Sequence, residues 1–155
     1  MLLKMENNFE VKFTENVALV TLNNIKSDVH SLLNVFQIVS DEDICIDMIS
    51  QTAPLNNCVN LSFTVDDDDT AKIISIIYKF KEVFAGLTTQ ILSSNTKVLI
   101  TSDRMRTEAG IATKVFKLLA SENISVLIIN TSETEISMLI AEEYAAQTKE
   151  LLMNL

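Results

Sequence analysis

Glycine, proline and histidine are scarce in this chain: two, one and one among 155 residues, with two cysteines and no tryptophan. Two glycines leave few places for a phosphate-cradling loop, which needs several closely spaced ones. A single histidine and no CxxC pair signal neither a zinc site nor a disulfide framework, so Cys45 and Cys58 read as free thiols in a reducing compartment. No serine or cysteine is recognisably spaced from His30 as a nucleophile from its base. No catalytic residue, metal or cofactor is therefore expected. Positive charge is short too. Twelve basic against twenty-one acidic residues give a net charge of −9, which repels phosphate backbones and anionic headgroups and argues against nucleic-acid and membrane partners. No apolar run approaches the ~20 residues that span a bilayer. The N-terminus, MLLKMENNFE, lacks the apolar stretch and cleavage site of a secretory signal. Together these absences point to a cytoplasmic chain.

What is present is a hydrophobic fraction of 48%, ample for a core, and a repeat. Residues 17–52 recur as 97–132, each position moved by eighty: Val35 and Phe36 return as Val115 and Phe116, Glu42 as Glu122, Ile44 as Ile124 and Ile49 as Ile129. The run Ala18–Val20 falls on Val98–Ile100. After Thr52 and Ser132 the spacing drops by five, and Leu61–Val65 corresponds to Ile136–Ile140. Two copies of one unit, each ~75 residues, favour a symmetric binding or regulatory device over a single active-site cleft.

Each copy reads strand, helix, strand, strand, helix. In the first, Val17–Leu22 is an apolar strand, and Ser27 and Asp28 cap a helix with Leu32, Leu33, Val35, Phe36 and Val39 at helical spacing. Ile44–Ser50 and Val59–Val65 are strands either side of the turn at Pro54–Asn57. A second helix starts in Asp66–Thr70, runs to about Phe84 and buries Ile73, Ile74, Ile77 and Phe80; Gly86 closes it before the strand Leu87–Ser93. The second copy has strand Thr96–Thr101, helix Glu108–Glu122, strands Ile124–Thr131 and Glu135–Ala141, and helix Glu143–Leu152. It lacks a last strand, which would leave a sheet edge open. Phe9–Phe13 alternates apolar and polar and is the candidate to fill it. The expected domains are 16–93 and 94–155, the latter completed by strand 9–14.

The densest charge run, Asp66–Asp69, reads as a solvated helix start, because calcium loops space their ligands at alternate positions. The turn between first strand and first helix is a better candidate for binding. A helix N-terminus offers unpaired N–H groups to a small carboxylate. Copy one places Asn24–His30 there and copy two places Met105–Gly110, opposite strand ends carrying Ser50–Thr52 and Asn130–Ser132.

These residues resemble the tandem ACT domains of the aspartokinase regulatory region. ICIDMISQT (Ile44–Thr52), NLSFTVDDDD (Asn60–Asp69) and SVLIINTSETEISMLI (Ser125–Ile140) look like that family's vdMIxQ, disFTv and mIsTSEikISvlv stretches, and Met105, Arg106 and Gly110 fit its second-unit turn. The resemblance implies an α+β chain of two ferredoxin-like sandwiches, β-α-β-β-α-β, interlocked by the N-terminal strand. It also implies an allosteric role in aspartate-family biosynthesis, with an end-product amino acid, lysine or threonine, held where ACT units meet. Family contacts fall here on Ser27, Asp28, His30 and Leu32 with Ile46, Asp47 and Gln51, and in the second unit on Arg106, Gly110 and Ala112 with Val126, Asn130 and Thr131.

Two departures stand out. The family's first turn, D-x-P-G, is here Ser27-Asp28-Val29-His30, and Ala109 replaces the proline of the second. Nothing resembles the kinase segment, so the chain alone is expected to be non-catalytic, with an aspartokinase catalytic domain as parent or partner. The alternative is a free-standing dimerisation module without a ligand. Val59–Val65 and Ile136–Ile140 carry no lysine or proline to blunt an edge. They predict a homodimer in which first units face each other or first meets second.

Overall fold

In the computed structural model, which describes residues 2–4, 8–153 and 155, the chain divides into two compact units: Asn16–Ser93, and Met1–Glu15 with Ser94–Leu155. Two long strands, β2 (Glu10–Lys26) and β5 (Thr88–Thr101), each contribute one half to either unit.

In the 16–93 unit, β2 leads into α1 (Val29–Ser40), β3 (Ile49–Gln51), β4 (Cys58–Asp66), α2 (Thr70–Val83) and the start of β5. The strand order is β3-β4-β2-β5. The antiparallel register sets Ala18 against Val65, Val20 against Phe63 and Leu22 against Leu61, so one face of the sheet is apolar throughout. α1 and α2 cover that face with Val35, Val39, Ile73, Ile76 and Phe80, all at most 1% exposed. Ile76 is buried, whereas of the residues expected there Ile74 is 59% exposed and Ile77 only half-buried.

The other unit takes the first half of β2, the end of β5, α3 (Ile111–Ser121), β6 (Ile128–Thr131), β7 (Glu135–Ala141) and α4 (Ala145–Leu152), with strand order β2-β5-β7-β6. Phe9, Val11 and Phe13 pack with Val98, Ile100, Val115, Leu119 and Met138 in its core. A strand the sequence did not suggest, β1 (Leu2–Lys4), pairs antiparallel with β2, setting Leu2 against Lys12 and Lys4 against Glu10.

The repeat is visible in burial. Val35 and Val115 are both fully buried, and Ile44 and Ile124 are each 6% exposed. The first strands, however, are related by 78 rather than eighty. Val20 pairs with Phe63 as Val98 pairs with Met138, so Val98–Ile100 corresponds to Val20–Leu22, not to Ala18–Val20. The two extra residues enter the turn of the second copy, which winds a short 3-10 segment, Asp103–Arg106.

Other boundaries moved for identifiable reasons. β3 and β6 start at Ile49 and Ile128, later than Ile44 and Ile124, because the apolar residues before them anchor irregular chain to the core rather than lengthen a ladder. α3 starts at Ile111, three residues after Glu108. The second helix of each unit is preceded by a 3-10 turn, Asp67–Asp69 or Glu142–Tyr144. Cys58 opens β4, one residue before the expected start at Val59. The strands Val59–Val65 and Ile136–Ile140 are not edges: β4 lies between β3 and β2, and β7 between β5 and β6.

Candidate functional site

The turn after β5 is built on Ser102, whose N–H donates to the Thr134 carbonyl at 2.9 Å and whose Oγ accepts from the Arg104 N–H at 3.3 Å. This sets the 3-10 segment that delivers the chain to Gly110, the residue before α3. Gly110 has φ +90°, a conformation natural to glycine and strained for other residues, and a Cβ there would meet nothing within 4 Å. No side chain caps α3, and a depression of about 320 Å³ beside its start is lined by Glu108, Gly110, Ala112, Thr131 and Ser132 among others.

Glu108 belongs to a charge cluster. Arg104 donates to one carboxylate oxygen from Nε at 2.9 Å and from Nη2 at 2.6 Å, and Lys114 Nζ reaches the other at 3.2 Å. The Arg104 guanidinium, then Lys114, hold the Glu108 carboxyl below its ordinary range. Of the family positions in this unit, Gly110, Ala112 and Thr131 line the depression. Arg106 pairs with Glu133 at 3.6 Å, both well exposed; Val126 packs against the core; Asn130 sits in β6 opposite Ser137.

The counterpart turn has a different character. Asp28 is the N-cap of α1, accepting the Ser31 N–H on Oδ1 and the Ser31 hydroxyl on Oδ2, both at 2.9 Å. A depression of about 440 Å³ beside it is lined by Asn24, Lys26, Asp28, His30, Asn34 and Cys58, and reaches the end of α2 at Val83–Ala85 rather than the end of β3. Asp28 and His30 are thus together. Ser27 donates its N–H to the Asn57 carbonyl at 3.0 Å, and Asp47 to that of Thr64 at 3.1 Å. Leu32 and Ile46 pack on the core, and Gln51 is exposed on β3. Sequence reading missed Glu108, although the offset of eighty places it on Asp28.

The Ser31 N–H, then the Ser31 hydroxyl, hold the Asp28 carboxyl below its ordinary 3.8. A depressed carboxylate stabilises the fold above the unfolded-state value, and that contribution disappears as pH falls through the lower folded-state value. Asp28→Asn keeps a capping side chain but removes the charge. Its melting midpoint is expected below wild type at neutral pH, with the difference closing in acid below pH 3.8. Equal midpoints at neutral pH would refute a charged cap.

The aspartate run serves local structure: Asp66 accepts the Asp68 N–H at 3.0 Å, Asp67 the Thr70 hydroxyl at 3.2 Å, and Asp69 pairs with Lys72 at 2.7 Å. Among the described residues no helix is long and apolar enough to cross a membrane.

Comparison with known proteins narrows the reading. An ACT domain family model matches residues 98–154. An aspartokinase of Bacillus sp. (strain MGA3) is 29% identical over 154 residues, covering 96% of this chain and 37% of its own. The chain therefore spans about a third of the length of the curated relatives it matches. Among solved structures, the ligand-free regulatory subunit of aspartate kinase from Thermus thermophilus superposes with a TM-score of 0.82 at 24% identity, over 93% of this chain and 95% of that one. The aspartokinase α and β subunits give 0.77 at 27% identity over the same shares. Escherichia coli aspartokinase III, in complex with lysine and aspartate, gives 0.72 at 22% over 94% of this chain and 32% of that one. Residues 98–154 thus match an ACT domain model, in a chain similar over nearly its whole length to part of an aspartokinase and sharing the fold of an aspartate kinase regulatory subunit.

Proposed function

We propose that this chain is the amino-acid-sensing regulatory module of an aspartokinase, made of two ferredoxin-like ACT units, 16–93 and 94–155, the second completed by strand 9–14. It performs no phosphoryl transfer itself and acts on a kinase domain carried on the same chain or on a partner. The observation that supports this most directly is the uncapped α3 N-terminus behind Gly110, facing Thr131 and Ser132 across a depression of about 320 Å³. Backbone N–H groups there suit an amino acid's carboxylate, and the hydroxyls of Thr131 and Ser132 can meet its polar atoms. Lysine and threonine are the candidate effectors; the lysine-bound Escherichia coli enzyme has the same fold.

A thermal melt with lysine, threonine or methionine tests this. Ligand at ~100 times its dissociation constant stabilises the folded state by about 2.7 kcal/mol, a shift of several degrees. No shift with any of the three would instead favour the ligand-free dimerisation module.

We also propose a homodimer, through the edges β3 and β6 rather than β4 and β7. Ile49, Leu127 and Ile129 stand 47%, 38% and 38% exposed at these short edge strands or just before them. Light scattering is expected to give about twice the 17.3 kDa chain mass, and Ile129→Asp to shift it toward the monomer. A monomer in the unmutated protein would eliminate the dimer.

A further inference from the structure

Positions eighty apart carry an acidic residue in both turns, Asp28 and Glu108, and the two differ in their contacts. Asp28 is exposed and folds back onto the start of α1. Both its oxygens are bound to Ser31, at the position where a ligand's carboxylate would sit on α1. Lys26 and His30 line the same depression as Asp28. Glu108 lines the second depression but caps no helix. Arg104 and Lys114 bind it from two sides, two cations to one carboxylate, and α3 keeps no side-chain cap.

We propose that this repeated acidic position sorts the two copies. Asp28 occupies the first turn in place of an effector carboxylate, whereas Arg104 and Lys114, by neutralising Glu108, keep the second turn receptive, so that each chain binds one amino acid. The depressed ionisation of both carboxyls agrees, since each stays charged with its own partners through the neutral range. Arg104 and Lys114 are positioning residues: they act through Glu108, and the ligand meets the α3 N–H groups, Thr131 and Ser132. The inference rests on the effector-binding reading above and adds which copy binds and why.

Equilibrium dialysis with radiolabelled lysine and with radiolabelled threonine, on the full chain, gives the stoichiometry. One equivalent per chain is expected. The variant Arg104→Met with Lys114→Met leaves Glu108 as a bare negative charge beside the site. It is expected to bind at least about tenfold more weakly, the scale of one unscreened like charge at close range. Methionine keeps an unbranched stem over Phe9, whose ring centre lies 5.1 Å from the Arg104 guanidinium carbon. Adding Glu108→Ala removes the charge and is expected to restore most of the affinity, which loss of local packing would not allow. Two equivalents per chain, unchanged affinity in the first variant, or no rescue by the second would each overturn the sorting while leaving effector binding in place. No binding of either amino acid to the unmutated protein would overturn the functional reading and the sorting with it.

Discussion

Phe9→Ala is expected to destabilise the unit containing residues 94–155 by about 3–5 kcal/mol, the usual cost of a buried phenylalanine cut back to alanine. Phe9 is 2% exposed and packs in the core of that unit, and the Arg104 guanidinium carbon lies 5.1 Å from its ring centre. The loss is the transfer energy of the ring plus the cavity it leaves, with a further ~0.5–1 kcal/mol where a cation sits over the ring face. Domains of this kind hold only about 5–15 kcal/mol in all. Urea unfolding should therefore show a transition moved far toward low denaturant. The readout decides between two pictures of the N-terminus. A strand that completes the 94–155 core predicts the large loss; a frayed tail predicts none, and a change below ~1 kcal/mol would rule the strand out.

That strand was legible because its pattern did not depend on its neighbours. Phe9, Val11 and Phe13 alternate with charged or polar residues, and period two is the signature of a half-buried strand. The gap it fills was legible only through the repeat, which showed that the second copy ends one strand short. The junctions of the long strands were not readable. Polar stretches around Asn16 and Ser94 read as breaks between strands, and the backbone there does turn left-handed, with φ of 58° and 57°. Hydrogen bonding nevertheless carries β2 and β5 through, because one left-handed residue kinks a strand without ending its ladder. Helix faces were read one residue wrong at Ile74 for the same kind of reason: three isoleucines, Ile73, Ile74 and Ile76, lie within one turn, and only the packing angle selects which face inward.

The candidate site was legible in outline and not in detail. Gly110 stood out through its fit to the family's second-unit turn, and its φ of +90° is one that glycine adopts without strain. The contrast between Asp28 and Glu108 could not be read from the chain, although the two align. It depends on side-chain length and on where the next basic residues fall. Asp28 sits directly before α1 and reaches its own helix; Glu108 lies three residues before α3, with Arg104 four residues earlier and Lys114 six later. Position in the repeat was conserved between copies while the contacts were exchanged.

A stabilising substitution is expected where the core holds a polar atom it does not use. Thr96 lies in β5, fully buried, and its Oγ1 has no hydrogen-bond partner among the described residues. Its neighbour across the ladder is Ile140, and both face the apolar core of the 94–155 unit. A buried hydroxyl without a partner carries a desolvation cost of about 1–3 kcal/mol. Valine has nearly the same shape, suits a strand because it is β-branched, and replaces the hydroxyl with a methyl that can use the surrounding contacts. Thr96→Val is therefore expected to stabilise the unit by about 1–3 kcal/mol, with the melting midpoint rising by about 4–8 °C for each of them in a domain this small. Thr96→Ser is the control: it keeps the hydroxyl, loses the methyl and is expected to destabilise. Should valine lower the midpoint instead, the hydroxyl has a partner in solution and the core at β5 is satisfied as it stands.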